Sequence, residues 1–232
     1  MIFTRDDFPD GPPEEVILML SGGLDSAILF YLICKHFPKT YIVPFSGDDA
    51  CNPADILCAQ DILKFMRKRF PNTNIGKHEI YSFNTNDTFW FEKAKDQFNN
   101  FKFSSIEGLS KHFQLVKGLK KVREQTNILT FVNAVTANPP NEEMNLHGLE
   151  HGADQYRNDY IKSQLSKTVY GNILYKPWIN TNKRDIAQIY KQENLIESLY
   201  KLTKSCVDST ATYENRECGS CWWCREKKWG FE

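Results

Sequence analysis

Apolar and polar positions fall into short alternating blocks along the first third of the chain. Val16-Ile17-Leu18-Met19-Leu20 is an unbroken apolar run, following a polar stretch that carries Pro9, Pro12 and Pro13. A short apolar run bounded by breakers predicts a strand over Glu15–Leu20, and helical spacing predicts a helix over Asp25–His36. Thr40-Tyr41-Ile42-Val43-Pro44-Phe45 reads as the second strand, ending at Ser46-Gly47-Asp48-Asp49. Pro53 suits the start of a helix that continues through Ile56, Ile62 and Phe65 to Arg69. Lys77–Phe83 alternates and reads as the third strand. Strands alternating with helices of this length predict an α/β fold with a parallel sheet and right-handed crossovers.

The second half is less regular. Asn84–Lys121 is rich in Phe and Lys, with weak helical periodicity interrupted at Gly108 and Gly118. It reads as helical, an amphipathic insert packing its aromatics inward, with a flap over a site as the alternative. Asn127–Ala137 reads as a compact apolar helix closed by Asn138-Pro139-Pro140. A strand is expected at Met144–Gly148, a helix at Asp159–Leu165 and a last strand at Ile173–Trp178. Thr181 is expected to cap a helix through Ile186, Ile189 and Tyr190. A final helix is expected over Leu195–Leu202. No repeat or linker divides the chain, so one domain is expected over residues 1–232, with residues 203–232 as an appended segment.

Composition narrows the class. Lysine plus arginine and aspartate plus glutamate both number 29, so charge gives no argument for nucleic-acid or membrane-surface binding. No apolar run is long enough to span a bilayer. Four of the seven cysteines fall in the last 27 residues, a distribution unlike a secreted disulfide framework and like a metal site in a reducing compartment. The cytoplasm is the expected location.

Candidate chemistry sits at two places. Ser21-Gly22-Gly23-Leu24-Asp25-Ser26 joins the first strand to the first helix. Glycine admits positive φ and close backbone approach, while the helix aims free N–H groups and its dipole at the turn. Ser21 and Ser26 add hydroxyls, which together predict a phosphate site. The Walker lysine is missing. At the other end, Cys206, Cys218, Cys221 and Cys224 stand as C-x11-C-x2-C-x2-C. Two-residue gaps place thiolates on a tight knuckle, where Gly219 gives freedom, and a closed tetrathiolate suits structural zinc. An iron–sulfur cluster is the rival. Trp222, Trp223 and Trp229 flank the knuckle, either clasping it to the body or forming a stacking wall. Cys34 and Cys58 fall on helices as small core residues.

The hexapeptide resembles the PP-loop of the N-type ATP pyrophosphatases. With the cysteine tail, the chain is similar over nearly its whole length to the 7-cyano-7-deazaguanine synthase family. That resemblance implies a Rossmann-like parallel sheet. It also implies ATP-dependent adenylation of the carboxylate of 7-carboxy-7-deazaguanine, then attack by ammonia with loss of AMP, and finally the nitrile. Leu20, Ser21, Gly22, Gly23, Leu24, Asp25 and Ser26 would hold the nucleotide's phosphates, with Asn127 a further contact. Ser21, Asp25, Ser26 and Lys183 would act on the reacting phosphates, and Mg2+ would bridge phosphate oxygens. Lys183 opens a helix whose dipole opposes a cation, so a phosphate partner explains it. Asp25 serves either Mg2+ or its helix cap. Asp154 and Arg157 are candidate contacts to the deazaguanine, since a guanine edge pairs with a carboxylate. The resemblance also implies Zn2+ at the four cysteines and a homodimer.

Three departures lie where substrate and ammonia would be handled. Ser46–Cys51 replaces a Tyr-Gly-Gln-x-His-like stretch, Thr126-Asn127 stands where the family has Arg-Asn, and Gly152–Arg157 only loosely echoes a Gly-Tyr-Pro-Asp-Cys-Arg region. They leave the nitrogen acceptor open between ammonia and an amine on a partner protein, as in relatives from antiviral-defence operons. A tRNA-modifying PP-loop enzyme and a non-catalytic nucleotide-binding regulator are the alternatives. Stable nucleic-acid binding is not expected at neutral charge.

Overall fold

The computed structural model describes residues 2–100, 105–140, 142–143, 163–167, 171–208 and 211–232. In chain order these form β1 (Glu15–Met19), α1 (Leu24–His36), β2 (Tyr41–Asp49), α2 (Ala54–Arg69), β3 (Glu79–Phe83), α3 (Thr88–Gln97) and α4 (Ile106–Thr126). There follow β4 (Thr130–Val132), β5 (Leu165–Lys167), β6 (Ile173–Tyr175), α5 (Lys183–Gln192) and α6 (Trp222–Phe231). The sheet runs β3-β2-β1-β4-β6-β5, parallel except for β5, which pairs antiparallel with β6 at the edge. The expected α/β class with a mostly parallel sheet is therefore present.

β1 sits centrally and is apolar on both faces, as a covered parallel strand must be. Val16 and Leu18 face one way, into a core made with α1, α2 and α5, where Ile28, Ile62 and Ile186 are buried. Ile17 faces the other way, packing with Val43, Phe45 and Phe131 against Leu119 and Val122 of α4. Thus the Phe- and Lys-rich insert is helical and supplies the second covering layer. Gly118 inside α4 is required by contact: a β-carbon there would stand 2.6 Å from the Tyr81 ring.

Several expected boundaries move. The stretch Ser46–Asp49, expected to terminate β2 after Phe45, is itself part of the strand, because β3 pairs with Phe45–Asp49. The apolar stretch after Asn127 is not a helix. α4 ends with Asn127 in the left-handed conformation, and Thr130–Val132 pairs with β1 and β6. A strand covered on both faces loses the alternation that would have marked it. Asn182, not Thr181, caps α5, accepting from Arg184 and Asp185 amides while Asp185 accepts from the Asn182 amide. Leu195–Leu202 yields only a 3-10 turn at Tyr200–Leu202. Leu165 lies in β5, not in a helix. Asp154, Arg157 and the strand expected at Met144–Gly148 lie outside the described residues. No helix among the described residues is long and apolar enough to cross a membrane.

Candidate functional site

The turn after β1 is built by its own hydroxyls. Gly22 has φ of +81°, and a β-carbon there would stand 2.4 Å from the Asp55 carbonyl oxygen, so only glycine fits between the turn and α2. Ser26 Oγ accepts from the Ser21 amide at 3.2 Å and donates to the Gly23 carbonyl at 3.1 Å. Ser21 Oγ accepts from the Gly23 amide at 3.3 Å. Gly23 caps α1 without a side-chain bond, leaving first-turn N–H groups directed into a cleft of about 310 Å3.

Lys183 reaches this cleft from the first residue of α5. It is 4% exposed, donates to Asp25 Oδ2, and has Glu226 Oε2 of α6 at 3.9 Å. A buried ammonium at a helix N-terminus is tolerable only beside anions, and two carboxylates supply them. The other oxygen of Asp25, Oδ1, is buried with no hydrogen-bond partner among the described residues. Tyr190, one face along α5, donates to the Leu24 carbonyl at 2.8 Å and so ties the helix that carries Lys183 to the start of α1.

Two further lysines, unmarked in the sequence, join the cleft. Lys204 is 3% exposed, and its ammonium donates to Asn52 Oδ1 at 2.9 Å, Asp55 Oδ1 at 3.0 Å and the Cys206 carbonyl at 2.6 Å. Its amide donates to the Gly22 carbonyl at 2.9 Å. With all three ammonium protons engaged, Lys204 clamps the turn, α2 and the cysteine segment together. Lys111 of α4 lines the cleft, 3.8 Å from Asp49 and 3.9 Å from Asp55. Burial raises the Asp55 carboxyl above its ordinary range, and Lys111 and Lys204 oppose that rise. No short-range pattern marks either lysine, since both acquire their partners through tertiary contact.

Asn127 does not reach the cleft. It caps α4 before β4 begins, whereas the turn follows the C-terminal end of the parallel β1, so the two lie at opposite ends of the sheet. The residues leaving the C-terminal end of β4, Asn133 to Thr136, line the cleft instead. Leu20 packs in the core beneath the turn. Leu24 and Ser26 are buried with it.

The four tail cysteines converge. Their sulfurs lie within 4.8 Å of one another, with Cys206 and Cys221 at 3.7 Å. A tetrahedral site with Zn–S bonds of about 2.3 Å separates its sulfurs by about 3.8 Å, so the donor set fits a zinc ion. The Cys221 amide donates to Cys218 Sγ at 3.2 Å, as expected where backbone groups orient a thiolate. The tryptophans occupy different places. Trp229 is buried against Trp222, its Nε1 donating to Glu143 at 2.9 Å beneath the Arg184 guanidinium, while Trp223 lines the cleft.

No family model matches the chain, and no curated protein does. Among solved structures, an NMN synthetase from Francisella tularensis is 15% identical, covering 97% of this chain and 80% of its own, with a TM-score of 0.48. An NH3-dependent NAD synthetase from Campylobacter jejuni, in complex with the nitrate ion, is 15% identical over 85% of this chain and 71% of its own, TM-score 0.46. A 4-thiouridine synthetase in an RNA complex with bound ATP is 14% identical over 92% of this chain, TM-score 0.48. This chain spans 47% of that last protein. Likeness at this level assigns neither substrate nor reaction.

Proposed function

We propose that the chain is an ATP-dependent synthetase that activates the carboxylate of a 7-deazaguanine acid and passes it to a nitrogen nucleophile. One juxtaposition carries the reading: Lys183, buried and paired with Asp25, meets the free N-terminus of α1 across the Ser21–Ser26 turn. A fixed cation and fixed N–H dipoles facing one cleft are what a developing pyrophosphate needs.

The residues divide the work. First-turn amides of α1 and the Ser21 hydroxyl bind the phosphates, and Lys183, held by Asp25, faces the leaving oxygens. A carboxylate oxygen of the acid attacks the α-phosphorus, the bond to the β-phosphate oxygen breaks, and pyrophosphate departs with the electron pair. The nitrogen nucleophile then attacks the acyl carbon, loses a proton, and expels AMP. Asp25, whose Oδ1 is buried and unbonded among the described residues, would hold Mg2+ directly or through water, and the ion would supply charge neutralisation. Cys206, Cys218, Cys221 and Cys224 hold structural Zn2+. Asp154 and Arg157 are the proposed contacts to the guanine edge. Free ammonia and a protein amine are the two candidate nucleophiles, and the products separate them.

The test is to incubate the protein with ATP, Mg2+, 7-carboxy-7-deazaguanine and ammonia, following AMP, pyrophosphate and product mass. Acid-dependent release of AMP and pyrophosphate is expected. Release of ADP and phosphate, or AMP formation indifferent to the acid, overturns the reading.

A further inference from the structure

α6 turns one face toward the cleft. Trp223, Glu226 and Gly230 recur at three- and four-residue spacing, which stacks them along a single side of the helix. Gly230 rests on the Lys183 backbone, where a β-carbon would stand 2.9 Å from the carbonyl oxygen. Glu226 is fully buried, one turn back, beside the Lys183 ammonium. Trp223 is one further turn toward the cysteines, and its side of the helix opens on the cleft together with Val207 and Val135. The indole is thus held about one helical turn from the phosphate-handling lysine, and the cysteine knuckle on either side of it fixes its backbone.

The cleft continues from the turn in two directions. Toward β2 lies a recess of about 70 Å3 lined by Met19, Phe45 and Leu115, reached past Asp55 and Lys111. Toward the tail lies the wall of Trp223, Val207 and Val135. A bimolecular activation needs two organic groups on either side of the phosphates, the nucleotide's base and the acid. The tail wall joins the Trp223 indole, itself packed edge-to-face with Trp222, to two apolar side chains.

We infer that Trp223 is the specificity-determining residue for the acid, and that the acid is a flat heteroaromatic ring stacked on its indole. This rests on the proposed carboxylate activation. Stacking of a base on an aromatic side chain is sequence-tolerant but strict about flatness, because any π-face serves and an aliphatic group gains nothing comparable. The metal module then has a recognition role besides holding the fold.

The experiment compares wild type, Trp223→Ala and Trp223→Phe as full chains, each checked for one bound metal and an unchanged thermal midpoint. Affinities for ATP and for 7-carboxy-7-deazaguanine are measured separately at equilibrium, and KM for each in pyrophosphate release. Trp223→Ala is expected to weaken the acid about 10-fold or more while ATP stays within about 2-fold, and Trp223→Phe to restore most of the loss. Unchanged acid affinity, or equal loss for ATP and acid, overturns the inference. So does loss of metal in Trp223→Ala with recovery in no aromatic variant. If wild type ignores the deazaguanine acid yet activates another flat acid, such as quinoline-3-carboxylate, in a Trp223-dependent way, the inference stands and the deazaguanine reading falls. If the deazaguanine acid is activated equally by wild type and Trp223→Ala, the reverse holds.

Discussion

Gly230 of α6 packs directly on Lys183 of α5, leaving 2.7 Å between Lys183 Cβ and the position a Gly230 β-carbon would take. Neither side of that contact is a flexible tip, since the nearest atoms include the Lys183 carbonyl carbon and oxygen at 2.9 Å. In an open helix, Gly→Ala stabilises by roughly 0.5–1 kcal/mol. Here the sign reverses. Gly230→Ala is expected to destabilise by about 1–3 kcal/mol through overpacking and to raise KM for ATP about 10-fold, with metal content unchanged. Denaturant melts and ATP titrations read the two effects.

Lys183→Met removes the cation and leaves Asp25 and Glu226 facing each other in a buried place. Stability should fall by about 3 kcal/mol, as when one partner of a buried pair is lost. Loss of ATP affinity must therefore be judged beside Lys183→Arg, which keeps the charge. kcat/KM for ATP is expected to drop about 100-fold or more in Lys183→Met and less in Lys183→Arg. Equal activity in all three would detach Lys183 from the chemistry.

Chelation of the metal should reach the nucleotide cleft. The Cys206 carbonyl accepts from Lys204, whose amide donates to Gly22. Release of the knuckle is expected to lower the thermal midpoint and weaken ATP several-fold. Coupling is reciprocal, so saturating ATP should tighten metal binding by the same factor, read at equilibrium by competition with a chromogenic chelator. Lys204→Met should uncouple the two readouts. Metal analysis of the protein as purified is expected to give one zinc.

His78 gives a pH dependence. Ser46 donates to the Leu20 carbonyl at 2.5 Å, so His78 Nε2, 2.7 Å from Ser46 Oγ, is the donor of that pair. Burial first, then Arg67, lowers the imidazole to about 4, with Glu79 opposing. The unfolded chain takes the proton near pH 6.5 and the folded chain near 4, so acid favours unfolding across that window. The contribution is complete above about pH 6.5 and is lost as pH falls through 4. Partial exposure limits it to about 1–2 kcal/mol. His78→Gln should flatten the stability profile between pH 6.5 and 4 by that amount.

What the sequence made legible was local. The β1 run, the Ser21–Ser26 turn and α1 could be read because a short apolar block, glycines and helical spacing follow one another. The knuckle was legible because cysteine spacing alone encodes it. β4 was not, since a strand buried on both faces carries no alternation, and without β4 the cleft-lining Asn133 cannot be told from Asn127. Lys111, Lys204 and Glu226 are ordinary charges until the sheet, α4 and α6 assemble around the turn. The helix α6 was not legible either, because the cysteine spacing reads as a knuckle and masks the helical intervals of Trp223, Glu226 and Gly230.

The clamp formed by Lys204 also sets an order of events in time. Its ammonium bonds Asp55, 149 positions earlier, and Lys183 pairs with Asp25 across 158 positions. Contacts so distant along the chain close late, after local helices and the first strand pairings. During synthesis the emerging chain therefore carries a phosphate loop without its lysines. Under the proposed reading, nucleotide capture would switch on only once the tail has docked, so a nascent or broken chain would have no competent site with which to spend ATP.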